Sequence, residues 1–180
     1  MGRLGRFGES APILQQMFER TLSVFDLQCW LEHLPEPARP DALARARQLA
    51  LDHEDPATAA ILLIELDDPA MAESRLLVEP KRVDGRAYDA LAPLAEALRA
   101  HQRVRGETVV FRALLEAILV RGYARAYPHG ARYWSRLEEI AKSGAALAPL
   151  QSHADFEAAI RARHGRKWSF WARVSARRSG

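Results

Sequence analysis

The C-terminal third of the chain concentrates the side chains best suited to gripping an anion. Eight of the 14 aromatic residues (Tyr123, Tyr127, Tyr133, Trp134, Phe156, Trp168, Phe170 and Trp171) fall within residues 121–171. They interleave with Arg121, Arg125, Arg132, Arg136, Arg161, Arg163, Arg166 and Lys167. Flat rings stack on bases and guanidinium groups neutralise phosphates, the combination that single-stranded nucleic-acid binding requires. The same residues admit a structural reading. Tyr123, Tyr127, Trp134 and Leu137 roughly follow helical spacing and could form core, while Trp168 and Trp171, at i and i+3, could clamp a terminal helix onto the body. Arginines at such positions often stack on the rings and seal a helix end. The candidate binding surface read from this region is Tyr127, His129, Arg132, Tyr133, His164, Arg166, Lys167, Trp168 and Trp171.

Other chemistries find little support. Cys29 would need a neighbouring histidine and a lowered pKa to act as a nucleophile. It lies instead in an apolar helical pattern with Phe25, Leu27, Trp30, Leu31 and Leu34, where a buried structural cysteine is the expectation. The six histidines (His33, His53, His101, His129, His153, His164) are each alone in their segments, with no i, i+3 or i, i+4 pair and no HExxH. Asp67-Asp68 and Glu138-Glu139 point to different helix faces and read as solvated termini and caps. No phosphate-binding glycine loop, dinucleotide fingerprint or nucleophile elbow occurs. The sequence therefore calls for no metal, no cofactor and no enzyme. An enzyme would require a cleft where several of Tyr127, His129, Arg132, His164 and Arg166 converge.

Charge is unevenly spread. The net value of +3 divides into 14 Lys+Arg against 19 Asp+Glu over residues 1–120, and 12 against 4 over residues 121–180. Such a split marks either an anionic partner or two solvated surfaces of opposite sign. The skew to 23 Arg over 3 Lys reflects a GC-rich genome rather than a binding role. One cysteine excludes an intramolecular disulfide framework. No apolar run reaches the roughly 18–20 residues of a membrane span, and the basic start lacks the apolar stretch of a secretory signal. The expected setting is cytoplasmic. At 180 residues the chain is long enough to bury its own core.

The elements that must position these residues are helices. Phe111, Leu114, Leu115, Ile118 and Leu119 mark one face of an amphipathic helix, and Leu91, Leu94, Ala95 and Leu98 repeat the step. Ala57–Leu66 is apolar almost all round, so it reads as a helix enclosed by others. Asp55-Pro56 and Asp68-Pro69 each place a capping carboxylate before a proline at the first helical position. Pro40-Asp41 opens another helix. Ser152 with Asp155 resembles a capping box. Gly122, Gly144 and Gly165 are plausible stops, and Pro93 either starts a helix or kinks one.

The pattern predicts helices at about 12–34, 41–53, 56–67, 69–78, 86–100, 107–122, 129–143 and 152–164, with a last turn or two around 167–174. Residues 1–10 read as a flexible tail, 11–174 as a single helical domain and 175–180 as a frayed end. The breaks at Pro56, Pro69, Pro80, Pro93 and Gly106 recur every 11–13 residues. Short helices joined by tight turns must pack antiparallel. The expected fold is all-α, with about 8–9 helices in hairpins stacked as a repeat-like, TPR- or solenoid-like array.

Ala126-Tyr127-Pro128-His129-Gly130-Ala131-Arg132-Tyr133, His153-Ala154-Asp155-Phe156 and Arg163-His164-Gly165-Arg166-Lys167-Trp168-Ser169-Phe170-Trp171 resemble the C-terminal end of a bacterial helical domain-of-unknown-function family. Trp30-Leu31-Glu32-His33-Leu34-Pro35 and Leu94-Ala95-Glu96-Ala97-Leu98 match its style. The region is also similar to the C-terminal helical end of SWIM-type zinc-finger proteins, whose zinc-binding residues are absent here. The resemblance covers roughly residues 26–174 and leaves out residues 1–25. It implies an all-helical, repeat-like fold and brings no catalytic residues, metal or DNA role. The expectation for function is a module that binds or scaffolds another protein, with nucleic-acid binding through the basic, aromatic third as the alternative.

Overall fold

A computed structural model describes residues 7–178, and within them every regular element is helical. There are ten α-helices, one or two more than the sequence predicts: α1 Phe7–Thr21, α2 Val24–Glu32, α3 Arg39–Asp52, α4 Pro56–Glu65, α5 Pro69–Val78, α6 Tyr88–Ala100, α7 Val104–Arg121, α8 Tyr127–Lys142, α9 His153–His164 and α10 Trp168–Arg178. Three short 3-10 turns, Glu36–Ala38, Pro80–Arg82 and Ala124–Ala126, fill the links. Contacts cluster into two units, residues 1–75 and 76–180. The charge asymmetry is sharper on this division. Residues 1–75 hold 7 Lys+Arg and 13 Asp+Glu, a net −6, and residues 76–180 hold 19 and 10, a net +9.

In the first unit the helix expected over 12–34 is two helices. Leu22 adopts a left-handed φ of 49°, and the Ser23 hydroxyl accepts the Asp26 amide to start α2. The amphipathic pattern runs on through this break, which is why it reads as continuous. The turn brings Phe18 and Trp30 into a stack at 5.7 Å. Helix α1 also begins at Phe7, inside the stretch read as a tail, and carries Pro12 within it; the rest of that stretch, 1–6, lies outside the described residues. Cys29 is half-buried, not core, and Phe25 on the same expected face is 70% exposed. Asp55 caps α4 as its position implies, accepting from the amides of Ala57 and Thr58. Helix α4 buries Ala57, Ala59, Ala60, Leu62 and Leu63, as its all-round apolar sequence requires.

The second unit is built on α7. Its buried run includes the β-branched Thr108, Val109 and Val110 and the face of Phe111, Leu114, Leu115 and Leu119. Helices α6 and α8 pack on it, and α10 packs on α8. Pro93 sits inside α6 without ending it. Gly122 closes α7 with φ 66°, a left-handed conformation for which glycine alone has no Cβ penalty. Gly165 ends α9 with an ordinary right-handed φ of −58°. Helix α10 continues to Arg178, beyond the 167–174 anticipated. There the Arg178 guanidinium pairs with Glu138 and reaches Glu157 at 3.6 Å, holding the end that the sequence reads as frayed.

Glu138 is therefore not a solvated terminal carboxylate. It is only 12% exposed and accepts both from Arg178 and from the Trp134 indole at 2.7 Å. Two further charges lie in this core. Glu107 bonds Arg136. Arg112 donates to the Gln151 carbonyl at 3.0 Å and lies 4.5 Å over the Phe156 ring, its pKa pushed down to about 10 by burial.

Candidate binding groove

The nine residues expected to form one surface separate into three groups. Tyr127 and Trp171 are core. Tyr127 is 5% exposed and meets Phe170 edge-on at 5.7 Å. Trp171 is 8% exposed, meets Trp134 edge-on at 5.1 Å and carries Arg161 over its ring at 4.0 Å. Its indole N–H donates to the His164 carbonyl at 3.0 Å. Both side chains are buried, so neither belongs to the binding surface in which the sequence reading placed them.

His164, Arg166, Lys167 and Trp168 gather at the link between α9 and α10. His164 is half-buried, and burial, reinforced by Arg163 and Lys167, holds its pKa below the ordinary histidine value. Arg166 is exposed. Trp168 is 78% exposed. The Lys167 ammonium reaches back to α7, where a Cβ added at Gly122 would lie 3.2 Å from it.

His129, Arg132 and Tyr133 lie on the first two turns of α8. Arg132 donates to His129 Nδ1 at 2.6 Å. Arginine can only donate, so the neutral imidazole carries its proton on Nε2. Tyr133 stacks on Phe111 at 5.3 Å, and burial raises its phenol pKa.

His129 and Tyr133 help to line an open cavity of about 730 Å³ within this unit. Leu114, Ala117 and Ile118 of α7 form its apolar floor. Tyr88, at the start of α6, and Tyr123, just past α7, stand at 60% and 57% exposure along it. Arg86, Arg121 and Arg125 line it as well, with Gly85 and Ala126, and no carboxylate is among the lining residues. The volume falls within the usual ligand-pocket range of roughly 300–1,000 Å³.

Local sequence explains how the walls stand. Gly85 presses its backbone against α7, where an added Cβ would fall 1.9 Å from the Ala113 carbonyl oxygen. No residue with a side chain fits there, and that contact carries Arg86 and Tyr88 to the groove. Asp84 grips Arg86 through bonds of 2.7–3.0 Å, and the guanidinium holds the carboxyl pKa down to about 2. Arg86 is thus already neutralised. Arg121 and Arg125 are exposed and have no side-chain ion pair or hydrogen bond among the described residues, so their guanidinium groups remain available beside the groove.

Sequence reasoning singled out Arg121, Tyr123 and Arg125 as part of the basic, aromatic stretch but missed Arg86 and Tyr88, about 35 positions upstream. The only local signal was Asp84-Gly85, a turn-forming pair ahead of α6. Of the five residues whose convergence would have indicated a catalytic cleft, the groove takes in His129 alone. No group of three or more metal-ligating side chains occurs among the described residues, and none of the described helices is long and apolar enough to cross a membrane.

The chain belongs to the family of unknown function DUF6880, which matches residues 1–173. This range takes in residues 1–25, which the resemblance read from the sequence had left out. No curated protein and no solved structure gives a significant match.

Proposed function

We propose that this chain is a protein-binding module that engages its partner through the groove of residues 76–180. The observation that carries the reading is the groove's composition: an apolar floor, tyrosine walls and three lining arginines, of which Asp84 pairs with Arg86 alone. Protein-recognition sites combine buried apolar anchors with charged rims, and tyrosine and arginine are the residues such sites favour. The sequential helix pairs belong to the same picture. We read them as a repeat-like stack, akin to the C-terminal helical region of SWIM-type proteins, acting in a bacterial cytoplasm. Helical stacks offer extended concave surfaces to partners, an argument from fold analogy.

The test is photocrosslinking in the native host with a benzophenone amino acid in place of Tyr88. A discrete crosslinked protein, lost in the Arg121→Glu/Arg125→Glu variant, is the expected result. Absence of any protein adduct would overturn the reading.

Nucleic-acid binding is a second reading, favoured by one observation. Trp168 is 78% exposed beside Arg166 and Lys167, a ring free to stack next to two cations. It predicts affinity that falls steeply with salt and falls further on removing Arg166 and Lys167. Unchanged mobility of DNA and RNA at about 50 mM salt would exclude it.

A further inference from the structure

The groove is chemically polarised along its length. Its floor of Leu114, Ala117 and Ile118 is contributed by α7, and the next turn of the same helix ends in Arg121. Arg125 follows in the short 3-10 turn after Gly122. Apolar floor and available cations therefore follow one another along α7 and the turn after it, and the Lys167 ammonium lies beside Gly122 between them in the chain, outside the lining itself. At the other wall, Arg86 is held by Asp84. Gly85 beside it abuts Ala113 and Ala117, a turn or more before Arg121 on α7, so the unpaired positive charge of the lining belongs to the C-terminal end of α7.

From this asymmetry we infer that the groove takes a short acidic peptide segment with one large apolar or aromatic anchor, the anchor over Ile118 and the carboxylates against Arg121 and Arg125. This deepens the protein-binding reading and rests on it. Two features favour a peptide over a nucleic-acid strand. The floor is aliphatic, so it covers a side chain. The cations are clustered at one end rather than spaced along a track, whereas a strand needs positive charge following its backbone. Arginine forks donate two parallel hydrogen bonds to a carboxylate, so a pair of acidic residues beyond the anchor would be fixed in register. Tyr88 and Tyr123 offer exposed ring faces and hydroxyls to the segment's backbone.

Fluorescence polarisation with the full chain tests the inference at about 50 mM salt. The probes are four labelled synthetic ligands: a peptide with a leucine or phenylalanine anchor followed by glutamates, the same peptide with the anchor changed to alanine, the same with glutamines for glutamates, and an oligothymidine of matched charge. The anchored acidic peptide should bind at least about tenfold more tightly than each of the others. Arg121→Glu/Arg125→Glu should reduce its affinity by a similar factor or more, and circular dichroism should show the exposed substitutions leaving the fold intact. Equal binding of the glutamine peptide, or tighter binding of oligothymidine, would overturn the inference. If none of the four binds while the crosslink at position 88 still captures a protein, the partner reading stands and this ligand assignment falls. If both fail, the groove is not a protein site.

Discussion

Arg136 on α8 and Glu107 on α7 form a two-bond ion pair, at 2.6 and 3.2 Å, in which the carboxylate is 1% exposed. Arg136 also reaches Glu139 at 3.0 Å, and the Glu107 bond raises its already high pKa further. Desolvation offsets much of what such a pair gains, but removing one partner strands the other charge in the core. Arg136→Ala should therefore destabilise by about 3–5 kcal/mol, and Arg136→Met with Glu107→Leu by much less. Urea unfolding of both variants measures the difference, and equal losses would contradict it.

His153 should report acidification. Both of its ring nitrogens are buried without a hydrogen-bond partner. Its surroundings are the Trp134 and Phe156 rings together with the charges of Glu138, Glu157, Arg112 and Arg178. Burial lowers its pKa, against the pull of the two glutamates. The folded state thus prefers the neutral ring, while the unfolded chain protonates near pH 6.5. Its contribution to stability is constant above about pH 7 and is lost as pH falls through 6.5 toward the folded value. His153→Phe should flatten that part of the stability–pH profile. An NMR titration placing the His153 midpoint at or above 6.5 would contradict it.

Asp84 restrains Arg86 at the groove wall. Asp84→Asn removes the carboxylate that neutralises the guanidinium, so an acidic peptide should bind several-fold more tightly and with a steeper salt dependence. The low Asp84 pKa, about 2, means that the wild-type restraint persists through mildly acidic conditions. Unchanged affinity in the variant would show that Arg86 stands outside the recognition surface.

Gly85→Ala should damage both stability and binding. The new methyl would collide with the Ala113 carbonyl, a backbone atom that cannot swing aside. Overpacking of this kind costs about 1–3 kcal/mol. It also displaces Arg86 and Tyr88 from the groove, so thermal unfolding and peptide affinity should fall together. A variant as stable as wild type would mean that the 84–87 loop does not press on α7.

The two tryptophans of the terminal helix should behave oppositely. Trp171→Ala empties a core position and should cost about 3–5 kcal/mol. Trp168→Ala alters a side chain that is 78% exposed and should stay within about 0.5 kcal/mol. Comparable losses at both positions would place Trp168 in the core.

Those two residues also show what the sequence could and could not reveal. Periodicity located α6 and α7 well, and capping signals set the starts of α4 and α9, because those signals act within one or two turns. It could not tell which member of an i, i+3 pair faces inward, since both lie on adjacent strips of one helix. It did not find the break at Leu22, where apolar spacing continues across a left-handed residue. Buried charges escaped for a related reason. Glu107 lies 29 positions from Arg136, and nothing near Glu107 announces a partner at that distance. The groove was half legible. Arg121, Tyr123 and Arg125 stand in an evident cluster, but Arg86 and Tyr88 join them only because Gly85 lets a loop touch α7.

Helix α8 presents its two sides to two different tasks. His129 and Tyr133 face the groove, while Gly130 receives Phe170 of α10, with an added Cβ 3.2 Å from the Phe170 ring. A close-packed interior passes on small displacements rather than absorbing them. A ligand that shifts α8 from the groove side must therefore repack the Gly130–Phe170 notch. If the proposed ligand shifts α8 in this way, occupancy and α10 docking would be thermodynamically linked, each changing the other by one common factor. Amide exchange across α10 would then register a ligand that never touches it.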